Sequence, residues 1–495
     1  MKHPNPSIFA IMRIALAFSG LLAISCLLQA QAPAGALFDN YGTFPAAYQQ
    51  PAAGLNSPYH WEVELGGQAN FENNYVFIRW AAGFWLLNRV RSANVLGVVS
   101  GTQKWIVGSK VYDFDYFDDD ASRFLRFEGS ISGPAISFRL GANWRIGAFH
   151  RIRLVGDARD VDNQFSFDDY DQLPEGDRIQ VQSSSLQGAA WQEAGLNLAR
   201  SFATDGGQVG IGINARYINP LSGAQLITSG QTTVTKINRG SVGLEDADVQ
   251  LGLSGDLLTN NPGAAPGYGW GLDVGFTYSH GYVSRGSNKP LWTFGAALLD
   301  IGQITFNNSA ETHRFASEAD RTLVGENYEF AGDGLEQLPQ VLDQLNRDFY
   351  PASAPNSSLI GSSFQIGLPT RASLSFSYQA TEELGFDARV LVGVPIMANS
   401  LRGGQVASVN MRYTKWWYGA GASLHLHEFQ RPNLGLYVRV GPLYFGSDRV
   451  VDTLIGRSQL AAGDFYAGLR FHAFKEKAVR NPKRSRSRYN ECYKF

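Results

Sequence analysis

The chain has 495 residues and a net charge of −2, with 42 Lys+Arg against 44 Asp+Glu. Charged residues make up only 17%, below the roughly 25% of soluble domains, whereas aromatic residues reach 13% and glycines number 54. Basic residues concentrate in residues 475–495 and the rest of the chain is mildly acidic. This distribution argues against a nucleic-acid-binding body, and we expect no nucleic-acid partner.

Residues 1–32 have the parts of a secretory signal peptide. Lys2 and Arg13 precede an apolar run at residues 14–28, and the small-residue site Ala30-Gln31-Ala32 follows it. This run is too short for a spanning helix, which needs roughly 20 apolar residues. A lipoprotein site at Cys26 is the alternative, but apolar residues continue past it. We therefore predict export by a cleaved signal peptide.

Alternation with period two is the main structural signal in the remainder of the chain. In residues 270–278 large apolar side chains occupy one face of the predicted strand and small or polar ones the other, and residues 209–217 and 416–426 repeat the pattern. Such strands have the length, roughly 9–11 residues, that crosses a bilayer when tilted. No apolar run after the signal is long enough for a membrane helix, so a spanning fold would have to use strands.

The pattern predicts an all-β fold, a closed antiparallel transmembrane β-barrel of about 14 strands, within a range of 12–16. Residues 60–474 would form the barrel, since the last strand at 464–474 is again two-faced. Further strands are predicted near 60–70, 75–85, 105–116, 128–143, 145–157, 192–203, 230–237, 241–254, 290–306, 363–378, 384–394, 405–415 and 433–445.

Connections between the strands comprise short turns and a few long loops, as in outer-membrane barrels. Residues 204–207 and 431–433 are predicted turns. The longest excursion, 307–361, contains apolar residues at helical spacing from Leu335 to Leu345, which predicts a short helix with Pro339 in its first turn. Residues 475–495 are predicted to be a disordered periplasmic tail carrying the remaining cysteine, Cys492.

Four segments resemble an uncharacterised outer-membrane barrel family, domain-of-unknown-function family 5723. They are residues 132–135 (SGPA), 210–217 (GIGINARY), 271–275 (GLDVG) and 294–302 (FGAALLDIG). This family is distantly similar to FadL-type fatty-acid channels and to the shuttle barrel of type IX secretion. The resemblance spans most of residues 35–474 and implies a barrel. Its FadL-type likeness implies an N-terminal plug within residues 33–59, with residues 44–53 as the candidate.

Charged residues on the small or polar faces of the predicted strands are the candidates for lining the lumen. Basic residues on four C-terminal strands would form a cationic stripe that guides anionic solutes; the alternative is an internal salt-bridge network with nearby carboxylates. Since the first and last strands of a closed barrel pair, Glu62 and Glu64 should meet Arg470 and His472. The candidates are Arg389, Arg412, Arg439, Arg470, Asp273, Asp387, Glu62, Glu64, His425 and His427.

Metal binding and catalysis find little support in the sequence. His425 and His427 would need a third ligand such as His472, so a polar lumen wall is the preferred interpretation. Acidic residues at 113–120 and 168–171 lack the spacing of a calcium loop. No nucleophile elbow, phosphate loop or Cys-x-x-Cys pair is present. We predict that the protein is not an enzyme and has no cofactor and no bound metal.

Two functions remain open. The first is an outer-membrane barrel of a Gram-negative bacterium that works as a porin-like transport channel or binding protein for a small or hydrophobic ligand, in contact with outer-membrane lipid. The second is a non-conducting structural or secretion-associated barrel that binds other envelope proteins through its loops and tail. Lumen width separates them, because a barrel of about 14 strands needs a plug or leaves a channel, whereas 8 strands are filled by side chains.

Overall fold

A computed structural model gives the fold and describes residues 44–474 apart from internal gaps. The predicted signal peptide, residues 33–43, the tail 475–495 and Cys492 lie outside the described residues. The internal residues not described are 80–95, 100–103, 108–109, 118, 120, 163–173, 239, 260–265, 285–288, 318–319, 329–336, 352–355 and 451–458.

The described chain forms a closed antiparallel barrel of 14 strands, as predicted. Each strand pairs with the next along the chain, and β14 returns to pair with β1 from Phe474 to Ala462. The strands are β1 (Tyr59–Asn73), β2 (Arg123–Leu140), β3 (Trp144–Val161), β4 (Ser185–Thr204), β5 (Gly207–Thr228), β6 (Gly267–His280), β7 (Trp292–Phe306), β8 (Arg371–Gln379), β9 (Leu384–Gly393), β10 (Val406–Thr414), β11 (Tyr418–His427), β12 (Arg431–Val440), β13 (Leu443–Ser447) and β14 (Ala462–Phe474).

The two faces of the barrel wall have opposite chemistry. Leu196 (66% exposed), Leu424 (55%) and Phe471 (48%) point outward, whereas the charged Glu62 and Arg145 (each 0%) are buried inside. A soluble globule would place these residue types the other way round. The closed hydrogen-bonded ladder leaves no free barrel edge, which is what a strand-built protein needs in lipid. The barrel is therefore a membrane-spanning one.

The two ends of the barrel differ in the length of their connections. At one end, which we call the short-turn end, the strands are joined by residues 141–143, 205–206, 415–417 and 441–442, and Tyr59 and Phe474 lie there. At the other, the long-loop end, connections such as 74–122 and 307–370 carry additional strands and helices. This asymmetry is typical of outer-membrane barrels, whose short turns face the periplasm.

The remaining strands belong to the long-loop connections. One four-stranded sheet orders Arg321–Val324, Ser241–Glu245, Thr232–Asn238 and Arg178–Val181, and a second sheet orders Gln459–Leu460, Val76–Arg79, Lys110–Tyr116, Lys104–Val107 and Leu96–Val99. Ala247–Leu253 pairs with the end of β5 on one side and with Glu311–Ser317 on the other. Leu359–Gly361 pairs with Glu311–Ser317, and Phe364–Gly367 pairs with the end of β7.

These additional strands correct four of the predictions. The segments near 75–85, 105–116, 230–237 and 241–254 contain strands that are not part of the barrel wall, because a strand half-buried in a loop sheet shows the same period-two alternation as one facing lipid. The segment near 433–445 contains two barrel strands, joined at Gly441 (φ 57°). The predicted turn at 431–433 is wrong, since β12 begins at Arg431 and the turn occupies residues 428–430.

Helices are short in the described part of the chain. They are Phe44–Ala47, Gly255–Thr259 and Leu338–Phe349, with 3₁₀ turns at Ala53–Asn56 and Gly325–Tyr328. None of these helices has the length and apolar content needed to cross a bilayer.

The helix Leu338–Phe349, which we call the loop helix, confirms the one predicted within 307–361, with proline in its first turn. Its apolar face packs on the strand Glu311–Ser317 through Val341 and Phe349. Burial and the neighbouring Asp348 carboxylate raise the pKa of Tyr328 well above its ordinary value. The phenol therefore stays protonated and donates to Asp348 (2.6 Å).

Candidate functional site

Charged side chains from strands β2 to β8 meet inside the barrel. Arg153 donates to Asp300 (2.7 Å) and to Glu128 (2.9 Å), and Arg216 donates to Asp273 (2.8 Å). Basic and acidic members balance in number, as buried charges require. We call this set the lumen cluster; its members are Arg151, Arg153, Arg216, Arg371, Glu128, Glu193, Asp273 and Asp300.

The lumen cluster crosses the barrel. Arg371 on β8 pairs with Glu128 on β2 (3.1 Å), and also with Asp300 on β7 (3.3 Å). Strands β2 and β8 lie nearly opposite each other in the closed order. Their side chains therefore meet in the middle of the lumen, and at this level the interior is occupied by ion pairs.

A β-bulge brings Asp300 into the cluster. The register between β6 and β7 shifts between Leu272 and Val274, and Asp300 adopts φ 55°. Its backbone N–H donates to the Asp273 carboxylate (2.7 Å), while its own carboxylate accepts a hydrogen bond from Arg153. Aspartate tolerates this left-handed conformation better than most residues, so the bulge turns an additional charge inward without a glycine at that position.

Residues 44–57, which we call the N-terminal segment, pack against inward-facing side chains of the barrel. The Gln50 amide donates to the carbonyls of Phe276 and Ala296 (3.1 Å each), and Asn197 donates to the carbonyl of Pro51 (3.1 Å). Asn214 joins the segment to the lumen cluster, because its amide donates both to Ala47 O and to Asp273 (2.9 Å each).

Glycines make room for the N-terminal segment. A side-chain carbon added at Gly212 would overlap the backbone of Pro51, and one at Gly210 would overlap Leu55. Gly275 and Gly295 are similarly placed against Gln50. The inward faces of β5, β6 and β7 are thus shaped for a chain segment. The function of this segment as a plug stays a prediction.

The cationic-stripe residues have different surroundings. Arg412 pairs with Asp387 (2.8 Å), while Arg439 donates to the carbonyls of Lys415 (2.6 Å) and Trp416 (3.3 Å) at the short-turn end. Arg389 is 3% exposed and has no ion-pair contact with a described carboxylate; it donates to Ser373 (3.4 Å), and its Nη2 atom has no hydrogen-bond partner. Asp273 belongs to the lumen cluster.

The seam between β14 and β1 confirms the predicted pairing. Glu62 lies opposite His472 and Glu64 opposite Arg470. Arg470 Nε lies 3.5 Å from a Glu62 oxygen and 3.8 Å from a Glu64 oxygen, and the Tyr444 hydroxyl donates to Glu64 (2.6 Å). These carboxylates thus line the inner side of the closing strand pair.

His425 and His427 are buried on β11 with stacked rings whose centroids lie 5.5 Å apart. His425 shares a hydrogen bond with Ser423 (2.6 Å). The suggested third ligand, His472, stacks on Tyr59 at the short-turn end, whereas β11 ends at His427 at the long-loop end. Among the described residues no cluster of His, Cys, Asp or Glu could hold a metal ion.

Sequence reasoning missed most of the lumen cluster. Arg151 and Arg153 alternate on β3, and Glu193 faces them on β4 through the register pair Arg151–Glu193. A signal for them is present, since charges on the small or polar face of a predicted spanning strand must point inward. What the sequence lacks is any indication that Glu128, Asp300 and Arg371 converge from strands far apart in the chain.

Comparison with known proteins gives one family and several distant structures. The sequence matches the "Family of unknown function (DUF5723)" over residues 93–448. None of the curated proteins matches.

Among solved structures, the TodX deltaS2S3 mutant, described as a monoaromatic hydrocarbon channel, is 11% identical with a TM-score of 0.39 and covers 90% of this chain and 97% of its own. A Pseudomonas aeruginosa FadL homologue is 11% identical with a TM-score of 0.23, and the match covers 88% of this chain and 94% of that one. The Ralstonia pickettii toluene transporter TbuX is 7% identical with a TM-score of 0.27, and the match covers 87% of this chain and 93% of that one.

Proposed function

The chain belongs to the DUF5723 family of unknown function, and we propose that it is an outer-membrane barrel that binds a small ligand and passes it through a gated lumen. The observation that carries the proposal is how the lumen is filled. A barrel of about 14 strands is too wide for ordinary side chains to fill. Here the filling consists of the N-terminal segment and the lumen cluster, which are held by hydrogen bonds and ion pairs.

Such a filling can be displaced without breaking the wall. The N-terminal segment precedes β1 and makes no barrel-strand pairing of its own. Its hydrogen bonds run mostly from side chains, such as Gln50, Asn197 and Asn214, to backbone carbonyls. Under the proposal residues 1–32 are removed on export, the N-terminal segment is the plug, and residues 475–495 extend into the periplasm.

Conductance in a planar bilayer tests the proposal. We expect the full-length mature protein to conduct rarely, and a variant lacking residues 44–57 to show stepwise current. The double variant Asn197→Ala, Asn214→Ala should open more often than the parent because two of the hydrogen bonds that hold the segment are lost. Cell fractionation with the outer membrane checks the location. A folded deletion variant that stays without current, even when Arg371→Ala and Glu128→Ala are added to open the lumen cluster, would contradict the channel.

A non-conducting envelope barrel is the second candidate, and one observation favours it. The ion pair between Arg371 and Glu128 closes the lumen independently of the N-terminal segment. If the deletion variant stays silent, and the same deletion combined with Arg371→Ala and Glu128→Ala also fails to conduct, the barrel is permanently closed. Co-purification of an envelope protein that is lost when residues 475–495 are deleted would then support this second function.

A further inference from the structure

A cavity of about 300 Å³ lies near the long-loop end of the barrel, apart from the lumen cluster. It forms where strand pairing divides. β5 pairs with β6 up to Ile218 and then, from Ala224, with the strand Ala247–Leu253. β7 continues beside Phe364–Gly367. The space between these two strand pairs is bounded on a further side by Asn399 in the connection after β9.

Carboxamide side chains dominate the wall of this cavity. Their side chains make no hydrogen bond to another described group. Gln225 is 2% exposed and its buried Oε1 atom has no partner, whereas Gln250 and Gln303 are half-buried and Gln365 and Asn399 are exposed. A carboxamide offers two donor hydrogens and two acceptor lone pairs. Leaving the buried Gln225 Oε1 atom unpaired is unfavourable, and the other four carboxamides present their groups to the open part of the cavity. The carboxamides belong to Gln225, Gln250, Gln303, Gln365 and Asn399.

The same wall disfavours other kinds of ligand. None of the described residues that line the cavity is charged, so they offer an anion or a cation no counter-charge. A hydrocarbon would leave the carboxamides without partners. The one aromatic ring, Phe364, is 5% exposed and stacks on Phe306 (centroids 4.7 Å apart), so it offers little apolar contact. An extended peptide would add along a free strand edge, whereas the carboxamides surround one compact space.

We propose that this cavity binds a neutral saccharide unit. Sugar hydroxyls donate and accept hydrogen bonds in the same way as carboxamides, and the volume matches the lower range of small-molecule sites, roughly 300 Å³. The inference rests on the proposed ligand-binding function and specifies the class of ligand. The saccharide would bind where the strand pairing of the wall divides, near the long-loop end.

Saturation-transfer NMR on the full mature protein in a detergent without sugar headgroups tests the inference. The probes are glucose, galactose, mannose and N-acetylglucosamine, with hexanoate, toluene and triglycine as anionic, apolar and peptide comparators. We expect transfer to at least one sugar and none to the comparators. The Gln250→Leu, Gln303→Leu double variant should weaken sugar binding about tenfold or more, as expected when hydrogen bonds to the bound sugar are lost.

Gln430→Leu is the matched control, because Gln430 is exposed in the turn 428–430 and does not line the cavity. It should bind sugar like the parent. Absence of sugar binding by folded protein, or preferential binding of hexanoate, toluene or triglycine, would overturn the inference. Conductance by the variant lacking residues 44–57 would still support the proposed function in that case, so the two failures are distinguishable.

Discussion

Buried arginines of the lumen differ in how their charge is compensated. Arg153 is 1% exposed and is held by Asp300 and Glu128, with its guanidinium also 5.0 Å from the Trp191 ring. Arg389 is similarly buried but lacks a contacting carboxylate among the described residues. Removing one partner of a buried ion pair leaves the other charge uncompensated, whereas removing an isolated buried charge relieves a desolvation cost.

The variants Arg153→Met and Arg389→Met should therefore have opposite effects. We expect Arg153→Met to lower the free energy of unfolding by about 3–5 kcal/mol, and Arg389→Met to leave it unchanged or raise it. Samples are heated to increasing temperatures and then run on a denaturing gel. The temperature at which the band of the folded barrel disappears compares the stability of the two variants. Equal destabilisation by both variants would show that the charge of Arg389 is compensated in the fold; the described carboxylate that acts on it is that of Asp448.

Gly212 determines how closely the N-terminal segment approaches β5. Gly212→Ala would place a methyl group against Pro51, and overpacking of this kind costs about 1–3 kcal/mol. In a Cys492→Ser background, an Ala52→Cys reporter, whose native side chain is 0% exposed, should react with maleimide about tenfold faster when Gly212→Ala is present.

Gly421→Ala provides the control for this experiment. The added carbon would come no closer than 3.3 Å to Asn410 and Met411, and none of its nearest neighbours belongs to the N-terminal segment. Its labelling rate should match that of the parent. Equal acceleration by both glycine variants would mean that the segment is not held by β5.

At the scale of elements, the loop helix shows how a loop gains structure without joining the barrel. Val341 and Leu342 are buried against Phe315 and Tyr328, while Arg347 on the opposite face is exposed. The hydrogen bond from Tyr328 to Asp348 holds its C-terminal half. Its stability therefore derives from packing against neighbouring loop strands, as for most short helices.

Val341→Asp should release the loop helix, because an unpaired carboxylate would enter an apolar cluster. We expect trypsin to cut after Arg347 at least tenfold faster in this variant. The barrel should stay folded in denaturing detergent as long as the sample is not heated. The control is Asp343→Ala on the exposed face of the loop helix, and trypsin should cut it at the parental rate. Arg347→Asp is unsuitable as a control because it removes the cleavage site. Loss of the barrel in Val341→Asp would show that helix and wall fold as one unit.

At the scale of the whole molecule, the apolar outer band and the closed ladder act together. Leu196 lies within the long strand β4 and is 66% exposed, so it faces the lipid if the barrel spans a membrane. Tyr282 is just as exposed (68%) but lies in the connection between β6 and β7. The cost of a cation on a barrel depends on its depth in the bilayer.

Leu196→Arg should therefore destabilise the inserted barrel by about 2–4 kcal/mol, and Tyr282→Arg by about 0–1 kcal/mol. Guanidine titration of protein folded in phospholipid vesicles measures both. Equal effects of the two variants would mean that β4 does not run through the hydrocarbon core.

Much of the wall could be predicted because the relevant signal is local. Alternation in residues 270–278 and 209–217 identifies β6 and β5, and the two-faced last strand gives the Glu64–Arg470 pairing at the seam. The strand count agrees although four predicted strands lie outside the wall. Alternation alone does not distinguish them, since Val234 in a loop sheet is buried (6% exposed) as barrel residues are.

The sequence by itself determined the class of fold, the inward position of charges, the loop helix and the pairing of the first strand with the last. Each follows from a period of two or of 3.6 residues, or from the topology of closure. Only the tertiary structure decided that Glu128 and Arg371 meet across the lumen, and that five carboxamides surround one cavity. Glu128 and Arg371 are 243 residues apart, and the carboxamides come from residues 225 to 399. The geometry of these contacts depends on strand register, bulges and the division of sheet pairing, and none of these produces a periodic pattern in the sequence.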